Sequence, residues 1–387
     1  MAFVESGYVS LNKHGEQLCG DRVEIINHNE YVTTVLSDGL GSGVKASILA
    51  TLTSKIIGTM IANGLQVDDA VETIAHTLPV CKERQIAYST FSISKISENG
   101  DAYLIQYDNP NAILIHNGKC VDYPKIQLNV YGKKIYESRF KLEIGDMLLL
   151  ISDGVVHAGV GSVFNLGWRR QNVCEFVEEK YNPSMTSKTM AATLAAACRQ
   201  LYVNMPGDDT TVAVQRLRAL ESVNVMVGPP VNRNEDHVVI SKFLSGRGKK
   251  IVCGGTTSQI VASHLKTELK PKLQYFDKRV PPTAEIKGID LVTEGVLTLS
   301  RAVEIIGEYN NSGDQCFDSL YGKDGASQLA KILLEDSTNI HIFVGRAINP
   351  AHQNPEFPSE LSLKTRLIKQ LASSLETVGK KVDIEYS

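Results

Sequence analysis

Four short acidic segments are spread along the first 210 residues: Cys19-Gly20-Asp21-Arg22, Ser37-Asp38-Gly39, Ser152-Asp153-Gly154 and Gly207-Asp208-Asp209-Thr210. The last three adjoin apolar or β-branched runs, TTVL before Asp38, LLLI before Asp153 and TTVAV after Asp209. Each therefore sets an aspartate at the end of a predicted strand. Asp21 sits just upstream of the next strand. Carboxylates gathered in this way, with little basic beside them, repel one another unless cations lie between them. Oxygen-only ligands select hard ions, Mg²⁺ or Mn²⁺, over zinc. Two such ions can hold a phosphoryl group and activate a water, so the pattern points to a paired-metal hydrolase of phosphate esters. Any one Asp-Gly is a common turn dipeptide; the ordered set carries the reading.

The elements that must position these acids are legible in the periodicity. YVTTVLSDG reads as a strand closing on the first acidic turn. The stretch from Val44 to Gly64 repeats apolar residues at helical spacing and ends on a glycine suited to a C-cap. A second helix is predicted over Val67–Leu78. Strands are predicted at YSTFSISKI, DAYLIQYD, AILIHNG, KCVDYP and DMLLLISDG, with a turn at Asn99-Gly100 and a tight hairpin at Asn117-Gly118. A helix over residues 187–205 and the strand TTVAVQRL close the region. Strands in hairpins with a few long helices indicate an α+β fold. Beyond residues 217–227 the pattern changes. The strands VNVMV, KKIVC, GIDLV, NIHIFVG and KKVDIEY alternate with helical segments. That alternation predicts a smaller α/β domain with a mostly parallel, doubly wound sheet, giving domains over 1–219 and 220–387.

Composition narrows the alternatives. A chain of 387 residues is too long for one ordinary core, so two domains are expected. A formal net charge of −3 and the lack of a basic, aromatic-studded stripe argue against nucleic-acid binding. The seven cysteines (19, 81, 120, 174, 198, 253 and 316) form no CxxC pair and read as scattered free thiols in a reducing compartment. MAFVESGYVSLNKHG has no basic start with an apolar core, so no signal peptide is expected. No window holds 18 uninterrupted apolar residues, so no membrane span is expected. A cytoplasmic two-domain protein follows as the expectation.

In order and spelling the acidic turns resemble the metal-dependent PPM-class protein phosphatases, most nearly the SpoIIE-like bacterial serine/threonine phosphatases. The resemblance rests on CGDR (19–22), LSDGLGSGVKAS (36–47), YSTFSI (88–93), QYDNPNAIL (106–114), ISDGV (151–155) and GDDTTVAV (207–214). It implies a layered α-β-β-α phosphatase domain holding two Mn²⁺ or Mg²⁺ ions. Asp38 should bridge both ions, Asp21 orient water on one, and the Gly39 carbonyl complete that ion's shell. Asp153 and Asp208 should hold the second ion, with Asp209 a substitute or a supporting group. Asp38, Asp153 and Asp208 are the catalytic candidates. The implied reaction is direct hydrolysis of phosphoserine or phosphothreonine by metal-activated water, without a phosphoenzyme. The implied substrate is a phosphorylated protein of the anti-sigma-factor-antagonist kind. Lys13 and Arg22 are candidates for holding the phosphate and His14 for donating a proton, although each also reads as an ordinary surface group. A small-molecule phosphohydrolase and a catalytically silent scaffold are the alternatives. The helix over Val44–Asn63 is a candidate homodimer interface or regulatory switch.

The region after residue 220 extends past the usual phosphatase ending. Loops after the carboxyl ends of parallel strands build binding crevices. Gly254, Gly255, Thr256 and Thr257 follow one such strand and offer amides and hydroxyls suited to an anion. Glu294 follows another, and Asn349 and His352 lie in a polar, proline-bounded loop after a third. Val280-Pro281-Pro282 reads as a rigid crossing. These residues are expected to form a site for a small anionic ligand or a docking partner that regulates the phosphatase domain. The bland reading gives the GGTT segment to a helix cap and Glu294 to a first helical turn.

Overall fold

The computed structural model describes residues 2–66, 69–70, 72–74, 89–130, 133–161, 163–165, 167–232, 234, 236–311, 313, 318–347 and 359–387. Contacts divide the chain into one unit over Met1–Ala219 and a second that begins at Leu220. In chain order the first unit opens with β1 (Ala2–Leu11), β2 (Asp21–Asn27), β3 (Tyr31–Gly39), α1 (Gly43–Ala62), β4 (Ser89–Ser97) and β5 (Asp101–Tyr107). It continues with β6 (Ile113–His116), β7 (Lys119–Val121), β8 (Ile126–Val130), β9 (Lys133–Lys141) and β10 (Met147–Ile151). It closes with α2 (Asp153–Val156), α3 (Arg170–Lys180), α4 (Ser187–Leu201) and β11 (Thr210–Ala219).

Two antiparallel sheets face each other, one ordered β1-β11-β10-β6-β7 and the other β2-β3-β4-β5-β9-β8. Their inner faces share one apolar cluster, with Val4, Leu148, Leu150 and Ala213 from the first sheet against Val23, Leu36, Ile96 and Leu104 from the second. The two-residue period of a strand sends neighbours to opposite faces. Leu36 therefore enters this inner core, while Val35 joins Ile93 and Ile105 under Ile57 and Ile61 of α1. On the other side α4 lies against the β1–β11 pair. Its first turn is tied down by Glu5, which accepts the Ser187 amide at 2.8 Å and pairs with Arg218 at 2.8 Å, both partners buried. The result is the layered α-β-β-α arrangement that the resemblance implies.

The predicted tight hairpin at Asn117-Gly118 joins β6 and β7, with both residues left-handed (φ 49° and 77°), as a primed turn requires. The predicted helix after β3 is α1, with Gly64 left-handed just beyond its end (φ 82°). By length and composition alone α1 could cross a membrane; its buried face, Ala46, Ala50, Thr53, Ser54, Ile57 and Ile61, packs on the sheet like any core helix. Val44, Ile48 and Leu52 on its other side are exposed. The helix predicted over Val67–Leu78 falls largely outside the described residues. Strands β1, β2, β8 and β9 and helix α3 were not legible in the sequence. In β9 the residues Lys133, Lys134, Glu137, Arg139 and Lys141 interrupt the apolar pattern, because that strand buries little besides Ile135 and Ser138.

The second unit runs β12 (Ser222–Val227), α5 (Asp236–Ser245), β13 (Lys249–Cys253), α6 (Gly255–His264), β14 (Lys270–Pro271), β15 (Ala284–Glu285) and β16 (Leu291–Thr293). Then come α7 (Val296–Asn311), a 3₁₀ turn at Asp318–Tyr321, α8 (Gly325–Glu335), β17 (Asn339–Val344), α9 (Ser359–Thr377) and β18 (Lys381–Tyr386). Strands β16, β13, β12, β17 and β18 pair in that order and in parallel, with the short β15 and β14 added antiparallel at one edge. Successive residues again face opposite ways. Val225, Ile251 and Ile342 pack under α7, α8 and α9, while Met226, Val252 and Phe343 pack on Ile240 and Phe243 of α5 and Val261 of α6. Helices on both faces make the sheet doubly wound, as its alternating pattern predicts.

Candidate active site

Each acid in the first unit hangs from a strand whose ladder fixes its position. Asp21 opens β2 and lies directly opposite Asp38 near the end of β3. Asp153 follows β10 as the first residue of α2, and Asp208-Asp209 precede β11, the neighbour of β10. Like charges directly opposite one another in a sheet are destabilising, so this placement needs compensation. Asp21 and Asp209 are buried, whereas Asp38, Asp153 and Asp208 are half-exposed. The cluster thus has a closed floor and an open mouth.

Hydrogen bonds hold the floor. Ser152 Oγ donates to Asp21 Oδ2 at 2.8 Å and accepts the Thr211 amide at 2.8 Å. Asp209 Oδ1 accepts the Lys13 amide at 3.0 Å, and Asp208 Oδ1 accepts the Asp209 amide at 3.0 Å. Ser89 Oγ donates to the Asp38 carbonyl at 2.9 Å. Two carboxylate oxygens, Asp21 Oδ1 and Asp209 Oδ2, are buried with no partner. Orphaned buried acceptors are rare and costly unless something else satisfies them.

The electrostatics agree with that geometry. Burial raises the Asp21 carboxyl from 3.8 to about 7, with the Asp209 and Asp153 charges adding and the Ser152 and Thr211 hydrogen bonds opposing. Asp38 rises to about 9, first through burial and then through the charges of Asp21, Asp153, Asp208 and Asp209. Burial also raises Asp153, with Asp208 adding, and Asp208, where Lys13 and His157 oppose. Cys19 beside them is pushed up by burial and by Asp21 and Asp209, so it stays a neutral thiol. Among the described residues, no three His, Cys, Asp or Glu side chains close around a single point as a finished metal shell. The acids share one electrostatic neighbourhood without forming a cage. The donor set, carboxylates with two orphaned oxygens, fits hard divalent cations.

The family model for Stage II sporulation protein E (SpoIIE) matches residues 28–218. Those residues are a SpoIIE-family domain. The match begins downstream of Asp21, which the β2–β3 pairing nevertheless brings opposite Asp38. The PP2C phosphatase domain of SpoIIE from Bacillus subtilis, solved with a fragment of its regulatory domain, superposes with a TM-score of 0.50 at 18% identity. The alignment covers 56% of this chain and spans 62% of that one. This likeness establishes a shared fold. The RsbU and RsbW domains of a Mycobacterium tuberculosis protein align with a TM-score of 0.47 at 14% identity, over 63% of this chain and 70% of that one. No curated protein matches the sequence.

Within the SpoIIE-type domain, the glycines after Asp38 and Asp153 are required by close approach. A Cβ on Gly39 would lie 2.1 Å from the Ala46 carbonyl oxygen, and one on Gly154 would lie 2.1 Å from the Asp209 carbonyl oxygen. Gly154→Ala is expected to cost about 3 kcal/mol, the upper range for overpacking, because backbone has to move. A thermal melt checks this, and an unchanged midpoint would contradict the packing.

Ser152 is a positioning residue that sequence reasoning missed. Its signal was its place before Asp153, yet its hydroxyl serves Asp21. Ser152→Ala takes the 2.8 Å donor from Asp21 and leaves the Thr211 amide without its side-chain acceptor. If the acids hold Mn²⁺, the expected result is a manganese requirement raised about 10-fold, in the range measured when outer-shell partners of metal ligands are removed. Titration of activity against Mn²⁺ reads it directly.

The basic candidates separate clearly. The Lys13 charge reaches Asp208, and its backbone amide holds Asp209. Arg22 is exposed and paired with Glu24 at 3.3 Å. The His14 amide donates to the Pro206 carbonyl at 2.8 Å. The histidine beside the acids is instead His157, one helical turn after Asp153, with Nδ1 3.8 Å from Asp153 Oδ2.

In the second unit, two of the proposed loops meet. The Gly254 amide donates to the Thr293 carbonyl at 2.9 Å, and Gly254 caps α6 with φ 117°. Gly255 and Thr256 are exposed, and Thr257 is buried. Glu294 caps α7, accepting the Leu297 amide at 3.0 Å and the Thr298 amide at 3.4 Å, so its carboxylate is engaged by its own helix. Asn349 and His352 lie outside the described residues. A cleft of about 720 Å³ lies elsewhere in this unit, lined by Lys266, Lys270, Lys272, Lys287, Glu285 and Asp290 among others, and by none of the sequence candidates.

Proposed function

We propose that residues 1–219 act as a metal-dependent protein serine/threonine phosphatase. The observation that carries this reading is the convergence of Asp21, Asp38, Asp153, Asp208 and Asp209 on one site, with two buried carboxylate oxygens unsatisfied. Asp21, Asp38, Asp153 and Asp208, with the Gly39 carbonyl, are the proposed holders of two Mn²⁺ or Mg²⁺ ions; Asp209 lines the floor. When bound, such ions supply an activated water and offset charge on the phosphoryl oxygens. The chain's own residues orient that chemistry. Ser152 holds Asp21 against the β10–β11 ladder, the Lys13 amide fixes Asp209, and the half-exposed mouth admits a phosphorylated side chain.

The proposed substrate is a phosphoserine or phosphothreonine on a partner protein of the anti-sigma-factor-antagonist type, a choice supported by the family resemblance. The region 220–387 is proposed as a regulatory domain for a small anionic ligand or docking partner, supported by the meeting of its Gly254 and Glu294 loops at one end of the parallel sheet. The test is phosphate release with Mn²⁺ from a phosphoserine peptide, a phosphothreonine peptide and a panel of small phosphate esters. Faster turnover of the peptides is expected. Turnover of small esters alone would assign a metabolite phosphohydrolase, and no turnover of any would assign a silent scaffold.

A further inference from the structure

Cys120 and Cys174 stand 54 residues apart and take no part in the acid cluster. The sequence places them among scattered thiols; the fold puts them side by side. Cys120 is the middle residue of β7, the edge strand of its sheet, and Cys174 lies on the buried face of α3 with Val173 and Val177. Glu178, one turn further along α3, fixes their register. Its Oε1 accepts the Cys120 amide at 2.9 Å, and its Oε2 accepts Lys119 Nζ at 2.7 Å. Cys120 Sγ donates to the Cys174 carbonyl oxygen at 3.7 Å, which sets its sulfur against the backbone that carries the second cysteine. Both are free cysteines.

We propose that Cys120 and Cys174 form a reversible disulfide, a peroxide-sensitive clasp between the sheet edge and α3. Thiolate character sets the reactivity of such a pair. The hydrogen bond from Cys120 pulls the Cys174 thiol down to about 7, with the Arg170 charge adding. Arg170 is itself anchored to the Ala112 carbonyl at 3.0 Å and the Asn111 carbonyl at 3.3 Å. The oxidant is a hydroperoxide. The Cys174 thiolate attacks the O–O bond, forming a sulfenic acid and releasing hydroxide, which takes the Cys120 proton and leaves as water. Cys120 sulfur then attacks the Cys174 sulfur, the S–O bond breaks, and the departing hydroxide takes up the proton that Cys174 first gave to solvent. Two thiols and one H₂O₂ thus yield one disulfide and two waters. Closure brings the two sulfurs to about 2.05 Å. The segment between the two cysteines carries Asp153, so the clasp constrains the chain that holds one half of the acid cluster.

The experiment treats the full chain with H₂O₂, blocks free thiols with N-ethylmaleimide, and maps tryptic peptides by mass spectrometry. The expected product joins the peptide over residues 120–125 to that over residues 171–180, and dithiothreitol separates them. In Cys120→Ser, a sulfenic acid on Cys174 should persist and react with dimedone. Should that variant not fold, the wild type still decides the matter through its melting midpoint. Oxidation should raise it by roughly 5 °C, reversibly, because the bridge closes a long loop in the unfolded chain. Recovery of both cysteines as maleimide adducts after peroxide, or bridges to any other cysteine, would overturn the proposal.

Discussion

Asp38→Ala should lower kcat/KM for a phosphopeptide by at least about 10³-fold, with Mn²⁺ in excess, while leaving the chain folded. The expected scale is that of removing a group that acts on developing charge at a phosphoryl centre. The structure separates this loss from a folding defect. Asp38 is half-exposed, its carboxyl is raised to about 9 by burial and four neighbouring acids, and no described hydrogen bond depends on its side chain. Removing it spares the folded chain the cost of protonating a buried carboxyl that is ionised when unfolded, so the metal-free variant should melt no lower than the wild type at pH 8. Asp153→Asn should show the same split, since it keeps the side chain's shape and removes its charge. A folded Asp38→Ala protein that keeps more than about a tenth of wild-type activity would contradict the assignment of this residue to the reacting centre.

A second large effect concerns stability without metal. Asp21 and Asp38 hold protons up to about 7 and about 9 in the folded chain, against 3.8 unperturbed. Between those values the folded state binds protons that the unfolded state has released, so raising the pH favours unfolding. Their contribution is complete below about pH 4 and is lost as the pH climbs through 7 and then 9. In EDTA the melting midpoint should therefore fall steadily from pH 5 to pH 9. A divalent cation held by these acids, as the proposed function requires, would replace the protons and reverse the trend. At about 100 times its dissociation constant an ion stabilises by about 2.7 kcal/mol, which corresponds to roughly 5–10 °C for a domain of this size. The gain from Mn²⁺ should be greater at pH 8 than at pH 5. A midpoint indifferent to both pH and Mn²⁺ would mean that these acids do not share a site.

The parts of this protein that were legible in its sequence are those where local chemistry and global position agree. Asp38 and Asp153 each sit at the junction of a strand and a glycine turn, and both the strand and the turn have strong signatures. The parallel sheet of the second unit was legible because its buried strands are short apolar runs between helical repeats, as with Lys249–Cys253 before Gly255–His264. The hidden parts depend on partners distant in sequence. β9 is a half-exposed strand with charges on its solvent face, so its pattern resembles a loop until β5 pairs with it through Tyr103 opposite Arg139. Ser152 looks like part of a turn until Asp21, 131 residues away, accepts its hydroxyl. The two adjoining thiols have no spacing motif at all, because a hairpin and a helix bring them together. The adjacent acids Asp208 and Asp209 divide their tasks only in space, one facing the mouth and the other buried at the floor.

The acids come from both sheets: Asp21 and Asp38 from the β2–β3 pair, and Asp153, Asp208 and Asp209 from the ends of β10 and β11. Beyond the Ser152–Asp21 hydrogen bond that joins the two groups, the sheets are held apart by hydrocarbon, where Leu36, Leu150 and Ala213 meet. Stacked sheets sit about 10 Å apart, and side-chain volume sets the exact spacing. The hydrophobic filling therefore works as a calliper. A methyl group added at Ala213 would spread the jaws and a methylene removed at Leu150 would narrow them, changing the gap between the two groups of acids without touching a single carboxylate.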